Sequence, residues 1–122
     1  MATLLIVDDD AAIRGILYDL LSDSYECHTA SMAEEAFQYL EVEHYDAIIT
    51  DIAMPGLTGV ELLKRVQLRD ESTPVILISG KGNEQDPKSL LALGAFAYVT
   101  KPFNLAEIEQ VVERAVAGKT AA

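Results

Sequence analysis

The stretch Leu4-Leu5-Ile6-Val7-Asp8-Asp9-Asp10 decides the fold: a short apolar run gives way at once to three aspartates. Four consecutive aliphatic residues match a strand buried on both faces, as in a parallel sheet. A second run, Ala47-Ile48-Ile49-Thr50, ends the same way on Asp51. Carboxylates crowded where two buried strands surface repel one another, and a bound hard cation is the expected remedy.

Outward from these runs the period alternates between strand and helix. After Leu4–Val7 come Ile13, Ile16, Leu17, Leu20 and Leu21 at helical spacing, then a strand over Tyr25–Ala30, then Ala33, Ala36, Phe37 and Leu40. The pattern continues with Ala47–Thr50, a helix over Gly59–Leu68, a strand over Val75–Ile78 and a short helix over Pro87–Leu93. A strand over Ala97–Val99 and a last helix bearing Ile108, Val111, Val112, Ala115 and Val116 complete five βα units. Such alternation predicts an α/β fold, a doubly wound parallel sheet with helices on both faces. The run Tyr25–Ala30, with Glu26 and His28 on one side, suits an edge strand. In this architecture the ligand crevice lies beyond the carboxyl ends of the strands, where the acids are.

Helix starts are marked by pairs with capping-box spacing: Ser31 with Glu34, Thr58 with Glu61, and Asn104 with Glu107. Asp10 before Ala11-Ala12-Ile13 reads as an N-cap, and Asp86 before Pro87 as another, with proline at the first helical position. Proline there is expected to shorten or delay the fourth helix, with Lys81–Gln85 a mobile loop before it. Gly118 is expected to end the last helix. Residues 1–118 then form one domain and 119–122 a frayed tail or linker stub.

At 122 residues and 50% hydrophobic, the chain is long enough for one domain with a proper core. No apolar run is long enough to span a bilayer, and no charged and apolar leader opens the chain, so a cytoplasmic location is expected. Nine basic residues against twenty acidic ones, net −11, argue against unaided binding to nucleic acid or anionic lipid. Cys27 has no second thiol to pair with and reads as an inert, reduced core residue.

Four strand ends hold functional groups: Asp8 and Asp9, Asp51, Ser79 and Lys101. Hard oxygen donors favour Mg²⁺, and no His/Cys cluster competes for zinc. A carboxylate can also act as a nucleophile toward phosphorus. That transfer needs positioning and charge neutralisation, which Mg²⁺, a lysine ammonium and a hydroxyl supply. In this reading Asp51 is the nucleophile, Asp8 and Asp9 hold the metal, Lys101 is the countercharge and Ser79 bonds a phosphoryl oxygen.

The ordered set Val7-Asp8-Asp9-Asp10, Asp51-Ile52-Ala53-Met54-Pro55-Gly56, Ile78-Ser79-Gly80, Gly94-Ala95 and Tyr98-Val99-Thr100-Lys101-Pro102-Phe103 resembles the CheY-like receiver domain of two-component response regulators. The resemblance covers nearly the whole chain. It implies a flavodoxin-like, CheY-like sheet of five strands in order 2-1-3-4-5 with five helices. It also implies phosphoryl transfer to Asp51 from a sensor histidine kinase or phosphotransfer protein. Further implications are Mg²⁺ held in part by the Ala53 backbone carbonyl, a cis bond between Lys101 and Pro102, and Ser79 and Tyr98 as switch residues. Phosphorylation would then reshape the face of the fourth helix, fifth strand and fifth helix, where an output partner, a fused effector domain or a second copy docks. The domain would assist only its own phosphorylation and dephosphorylation and is not expected to be a dedicated enzyme.

Blander readings stand beside these. Asp8, Asp9 and Asp51 are also turn formers, Ser79-Gly80 is a common turn dipeptide, and Tyr98 is also a packing residue with a polar tip. Thr58 stands where the family more often has aspartate, and it keeps the capping role. An Asp-nucleophile phosphatase of the haloacid-dehalogenase type needs a second acid two residues after the nucleophile, where this chain has Ala53. A flavodoxin-like carrier would meet FMN phosphate with three repelling aspartates. A pseudo-receiver that binds partners without phosphorylation is the remaining alternative, and the intact set of groups argues against it.

Overall fold

The computed structural model describes residues 1–121 apart from 55, 57, 70–71 and 81–86. The strands are β1 (Thr3–Val7), β2 (Glu26–Ala30), β3 (Ala47–Asp51), β4 (Val75–Ser79) and β5 (Ala97–Thr100). The helices are α1 (Ala11–Leu21), α2 (Ala33–Val42), α3 (Gly59–Arg69), α4 (Pro87–Ala92) and α5 (Leu105–Ala121). All strand pairs are parallel, in the order β2-β1-β3-β4-β5. The doubly wound architecture and strand order expected from the resemblance are both observed.

Side-chain alternation divides the core in two. Leu5, Val7, Ile48 and Leu77 point to the face covered by α2 and α3, where Ala36, Leu62, Leu63 and Val66 pack, with Leu90 of α4 in the same cluster. Leu4, Ile6, Ile49, Ile76 and Ile78 point the other way, against Leu17 and Leu21 of α1 and Ile108, Val111, Val112 and Ala115 of α5. Strands β3 and β4 are buried along their whole length, whereas β2 is buried only at Ala30 and lies at the sheet's edge. Burial of both faces is why the central runs are aliphatic without polar interruption.

Asp10 caps α1, its Oδ1 accepting the Ala12 and Ile13 N–H groups at 2.9 and 3.3 Å. Thr58 and Glu61 form the reciprocal box: each side chain accepts the other's backbone N–H, at 3.3 and 3.4 Å. Asn104 accepts the Ala106 N–H at 2.8 Å. The pairing of Ser31 with Glu34 is corrected. The N-cap of α2 is Met32, which gives no side-chain bond, so the third helical residue is Glu35 and not Glu34. Glu35 accordingly reaches back to accept the Ser31 N–H at 2.7 Å.

α4 has six residues and begins at Pro87, the short helix expected of a proline start, while Asp86 and the loop 81–85 lie outside the described residues. It closes on Gly94 at φ +106°, with Ala95 N–H to Leu90 O at 3.3 Å and Gly94 N–H to Leu91 O at 3.0 Å. Those two bonds make a Schellman motif. The expected stop at Gly118 is also corrected, because α5 continues through it to Ala121. Among the described residues only Gly56 and Gly94 take positive φ, so Gly118 does not adopt the left-handed turn that terminates a helix. No helix among the described residues is long and apolar enough to cross a membrane.

Candidate phosphoryl-acceptor site

Parallel register brings the carboxyl ends of β1, β3, β4 and β5 to one edge of the sheet. Val7 pairs with Thr50, Asp51 with Ile78, and Ser79 with Thr100, so the residues just beyond share one mouth. Backbone bonds fix this end: Asp8 N–H to Ala30 O at 3.1 Å, Ile52 N–H to Ile78 O at 2.9 Å and Lys101 N–H to Ser79 O at 2.7 Å.

Asp8, Asp9 and Asp51 converge there, one carboxylate oxygen from each lying within 4.8 Å of the others. Asp8 and Asp51 are buried and Asp9 is exposed. Lys101 crosses the mouth, its Nζ 3.2 Å from Asp8 Oδ2 and 3.4 Å from Asp51 Oδ2. The Lys101–Pro102 peptide is cis.

Burial pushes the Asp8 carboxyl above its ordinary range, opposed by the Asp10 N–H, which donates to Oδ1 at 2.8 Å, and by Lys101. Burial does the same to Asp51 and the Asp8 charge adds to it, while Lys101 and the Ala53 N–H pull the other way. At Lys101 burial opposes the charge, but the two carboxylates outweigh it and hold the ammonium above the usual lysine range. Three carboxylates with one ammonium leave negative charge in a partly desolvated place. All the ligand atoms are hard oxygens, the donor chemistry that fits a small divalent cation of the Mg²⁺ type.

The remaining residues singled out from sequence lie nearby but are not all joined to the acids. Ser79 is buried at the end of β4, and its hydroxyl donates to the Gly80 carbonyl at 3.3 Å rather than to a carboxylate. Ala53 sits in the loop after β3 and contributes its N–H to Asp51. Tyr98, half-buried in β5, packs against the core cluster of the α2–α3 side.

Three contributors were not singled out from sequence. Gly59, the first residue of α3, lies against the Asp51 backbone: a Cβ there would collide with the Asp51 carbonyl oxygen and the Ile52 Cα. Its N–H donates to Ile52 O at 2.9 Å, docking α3 onto the end of β3. Thr50 Oγ1 donates to the Asp51 carbonyl at 3.1 Å. Arg14 Nη1 donates to the Asp8 carbonyl at 2.6 Å. Gly59 follows Thr58 at a helix start and Arg14 lies one turn after the Asp10 cap. Those positions were the only signals available.

A family model described as the response regulator receiver domain matches residues 4–113. The chain belongs to this family. As a receiver domain it is 35% identical over 107 residues to the two-component response regulator PhoP of Pseudomonas aeruginosa, covering 87% of this chain and 48% of that protein. It is 34% identical over 118 residues to the cell cycle response regulator CtrA of Brucella ovis, covering 93% of this chain and 51% of that one. The chain thus spans about half the length of these curated relatives. Among solved structures, a response regulator receiver domain protein from Clostridium thermocellum superposes with a TM-score of 0.92 at 28% identity, covering 99% of this chain and 98% of that one. The receiver domain of NtrX from Brucella abortus gives 0.87 at 32% identity, with 93% and 98% covered.

Proposed function

We propose that this receiver accepts a phosphoryl group on Asp51 from a phosphohistidine of a sensor kinase or phosphotransfer protein. The observation that carries the reading is Lys101 Nζ within 3.4 Å of both Asp8 and Asp51 while Asp9 completes the carboxylate cluster. An Asp51 carboxylate oxygen attacks phosphorus, the P–N bond to the donor imidazole breaks, and the leaving nitrogen retains the electron pair until protonated. Lys101 and the Ala53 N–H oppose the burial that pushes the acceptor's carboxyl above its ordinary range, and so favour the ionised, nucleophilic form. Lys101 then has a new anion to pair with, the phosphoryl oxygens. The Ser79 hydroxyl, one residue beyond the partner of Asp51 on β4, leaves Gly80 to donate to the same group.

Asp8, Asp9 and Asp51, with the Ala53 carbonyl, would hold Mg²⁺, which when bound neutralises charge on donor and acceptor oxygens. Movement of Lys101 and Ser79 toward the phosphoryl group is the local event that Tyr98 would transmit to α4, β5 and α5, where an output protein, a fused effector domain or a second copy docks. The chain works as a cytoplasmic switch that assists its own phosphorylation and dephosphorylation and is not a dedicated enzyme. The chemical class of the adduct tests the assignment. A phosphoryl group lost in neutral hydroxylamine is the expected acyl phosphate, whereas a hydroxylamine-stable group would be an ester on a hydroxyl and would overturn it.

A further inference from the structure

Asp8 is held from both its side chain and its backbone. The carboxylate accepts the Asp10 N–H at 2.8 Å and the Lys101 ammonium at 3.2 Å, and the main-chain carbonyl accepts Arg14 Nη1 at 2.6 Å. Arg14 is half-buried in the first turns of α1, its own N–H donating to the Asp10 carbonyl at 3.0 Å. The guanidinium therefore reaches back over the start of the helix to the end of β1. A cation is out of place there on dipole grounds, since the N-terminal turn of a helix favours anions, and the first turn of α1 carries no acidic residue. Its place is explained by what it grips.

The gripped carbonyl belongs to the peptide that joins Asp8 to Asp9. Asp9 is exposed, so the direction of its carboxylate depends on the backbone beneath it more than on packing around it. Fixing the plane of that peptide fixes how Asp9 leaves the chain relative to buried Asp8. We infer that Arg14 is a positioning residue for the acidic site: by holding the Asp8 carbonyl it aligns Asp8 and Asp9 so that both present oxygens toward Asp51 and a divalent cation. This rests on the proposed reading of the acids as a cation and phosphoryl site.

The inference makes a prediction of definite sign. Were Arg14 only a nearby charge, its removal would relieve repulsion and tighten binding of a cation. As a support behind the ligands, its removal weakens binding, as loss of outer partners of metal ligands does, by about tenfold or more. The test is a calorimetric titration of the full chain with Mg²⁺ at constant ionic strength, comparing wild type, Arg14→Met and Arg14→Lys. Arg14→Met, which keeps an apolar stem but no donor or charge, is expected to bind about tenfold more weakly, and Arg14→Lys to recover part of the loss. Should Arg14→Met not fold, Arg14→Gln, neutral and too short to span the gap, carries the same expectation. Melting temperatures of the metal-free proteins separate this from a general loss of stability, which would not change the affinity of the folded chain. Binding by the neutral variants as tight as wild type, or tighter, overturns the inference. A wild-type chain that shows no Mg²⁺ binding overturns the reading beneath it.

Discussion

The Lys101 ammonium stands 3.4 Å from the Asp51 carboxylate, joining the residue after β5 to the last residue of β3 across the intervening strand β4. The same ammonium donates to Asp8 at 3.2 Å, so one cation serves two buried acids. Its removal leaves those charges without their nearest countercharge. Lys101→Ala is expected to lower metal-free stability by about 1–3 kcal/mol, below the range for a wholly buried pair because the lysine keeps some contact with solvent. Chemical denaturation with Mg²⁺ absent measures it, and an unchanged midpoint would contradict the role. Phosphorylation of Lys101→Ala should also leave the Tyr98 resonances unmoved, whereas wild-type resonances shift.

Both buried acids have raised pKa values, which fixes the sign of a pH effect. The folded chain binds those protons more tightly than the unfolded chain. That contribution is complete below the ordinary carboxylate value of 3.8 and is lost as pH rises through the folded-state values. Lys101, also raised, loses its contribution only above the lysine range and does not interfere. Metal-free protein should therefore gain stability from these two groups as pH is lowered from neutral toward the ordinary carboxylate value, and Asp51→Asn should show a shallower gain. At pH 7 Asp51→Asn should melt about 3–6 °C higher than wild type without metal, for roughly 1 kcal/mol of relieved burial and repulsion. Scanning calorimetry over that pH range checks both, and equal slopes would count against the assignment.

Gly59 is predicted to be intolerant of even one methyl group. A Cβ there meets the Asp51 carbonyl, which cannot retreat because Thr50 and the end of β3 hold it. Gly59→Ala should cost about 1–3 kcal/mol, the usual range for overpacking, and should slow phosphorylation by a small phosphoramidate. Gly15→Ala is the control, since nothing lies within 4 Å of the new methyl. Equal behaviour of the two variants would refute the close-approach argument.

Cys27 is half-buried in β2, with its pKa raised by burial and its Sγ 3.7 Å from the Tyr25 carbonyl. Thiolate is the reactive form, so the native thiol should react with iodoacetamide at pH 8 roughly tenfold or more slowly than in denaturant. A native rate matching the denatured rate would show an accessible, activated thiol instead.

The placement of the candidate site was legible in the sequence because parallel strands deliver their C-terminal residues to one edge. Asp8, Asp9, Asp51, Ser79 and Lys101 could therefore be gathered from the ends of apolar runs alone. The gathering is in the structure, but Ser79 donates to Gly80 and not to an acid, a side-chain orientation that no residue pattern encodes. Gly59 escaped notice because its importance lies in the absence of a Cβ against a distant backbone, and Arg14 because its partner is a carbonyl, which every residue has. Helix boundaries misled where two signals competed. Ser31 and Glu34 have capping spacing, yet α2 starts so that Glu35 makes the return bond, and Glu34 lies against Gly56. Gly118 looks like a stop only if the backbone turns left-handed there, and it does not.

The most direct test of the central claim is intact-mass measurement after incubation with a small phosphoramidate and Mg²⁺, for wild type and Asp51→Asn in parallel. Wild type is predicted to gain one phosphoryl group and Asp51→Asn none. A wild-type chain that gains nothing, or an Asp51→Asn chain that still gains one, would contradict the assignment of Asp51 as acceptor.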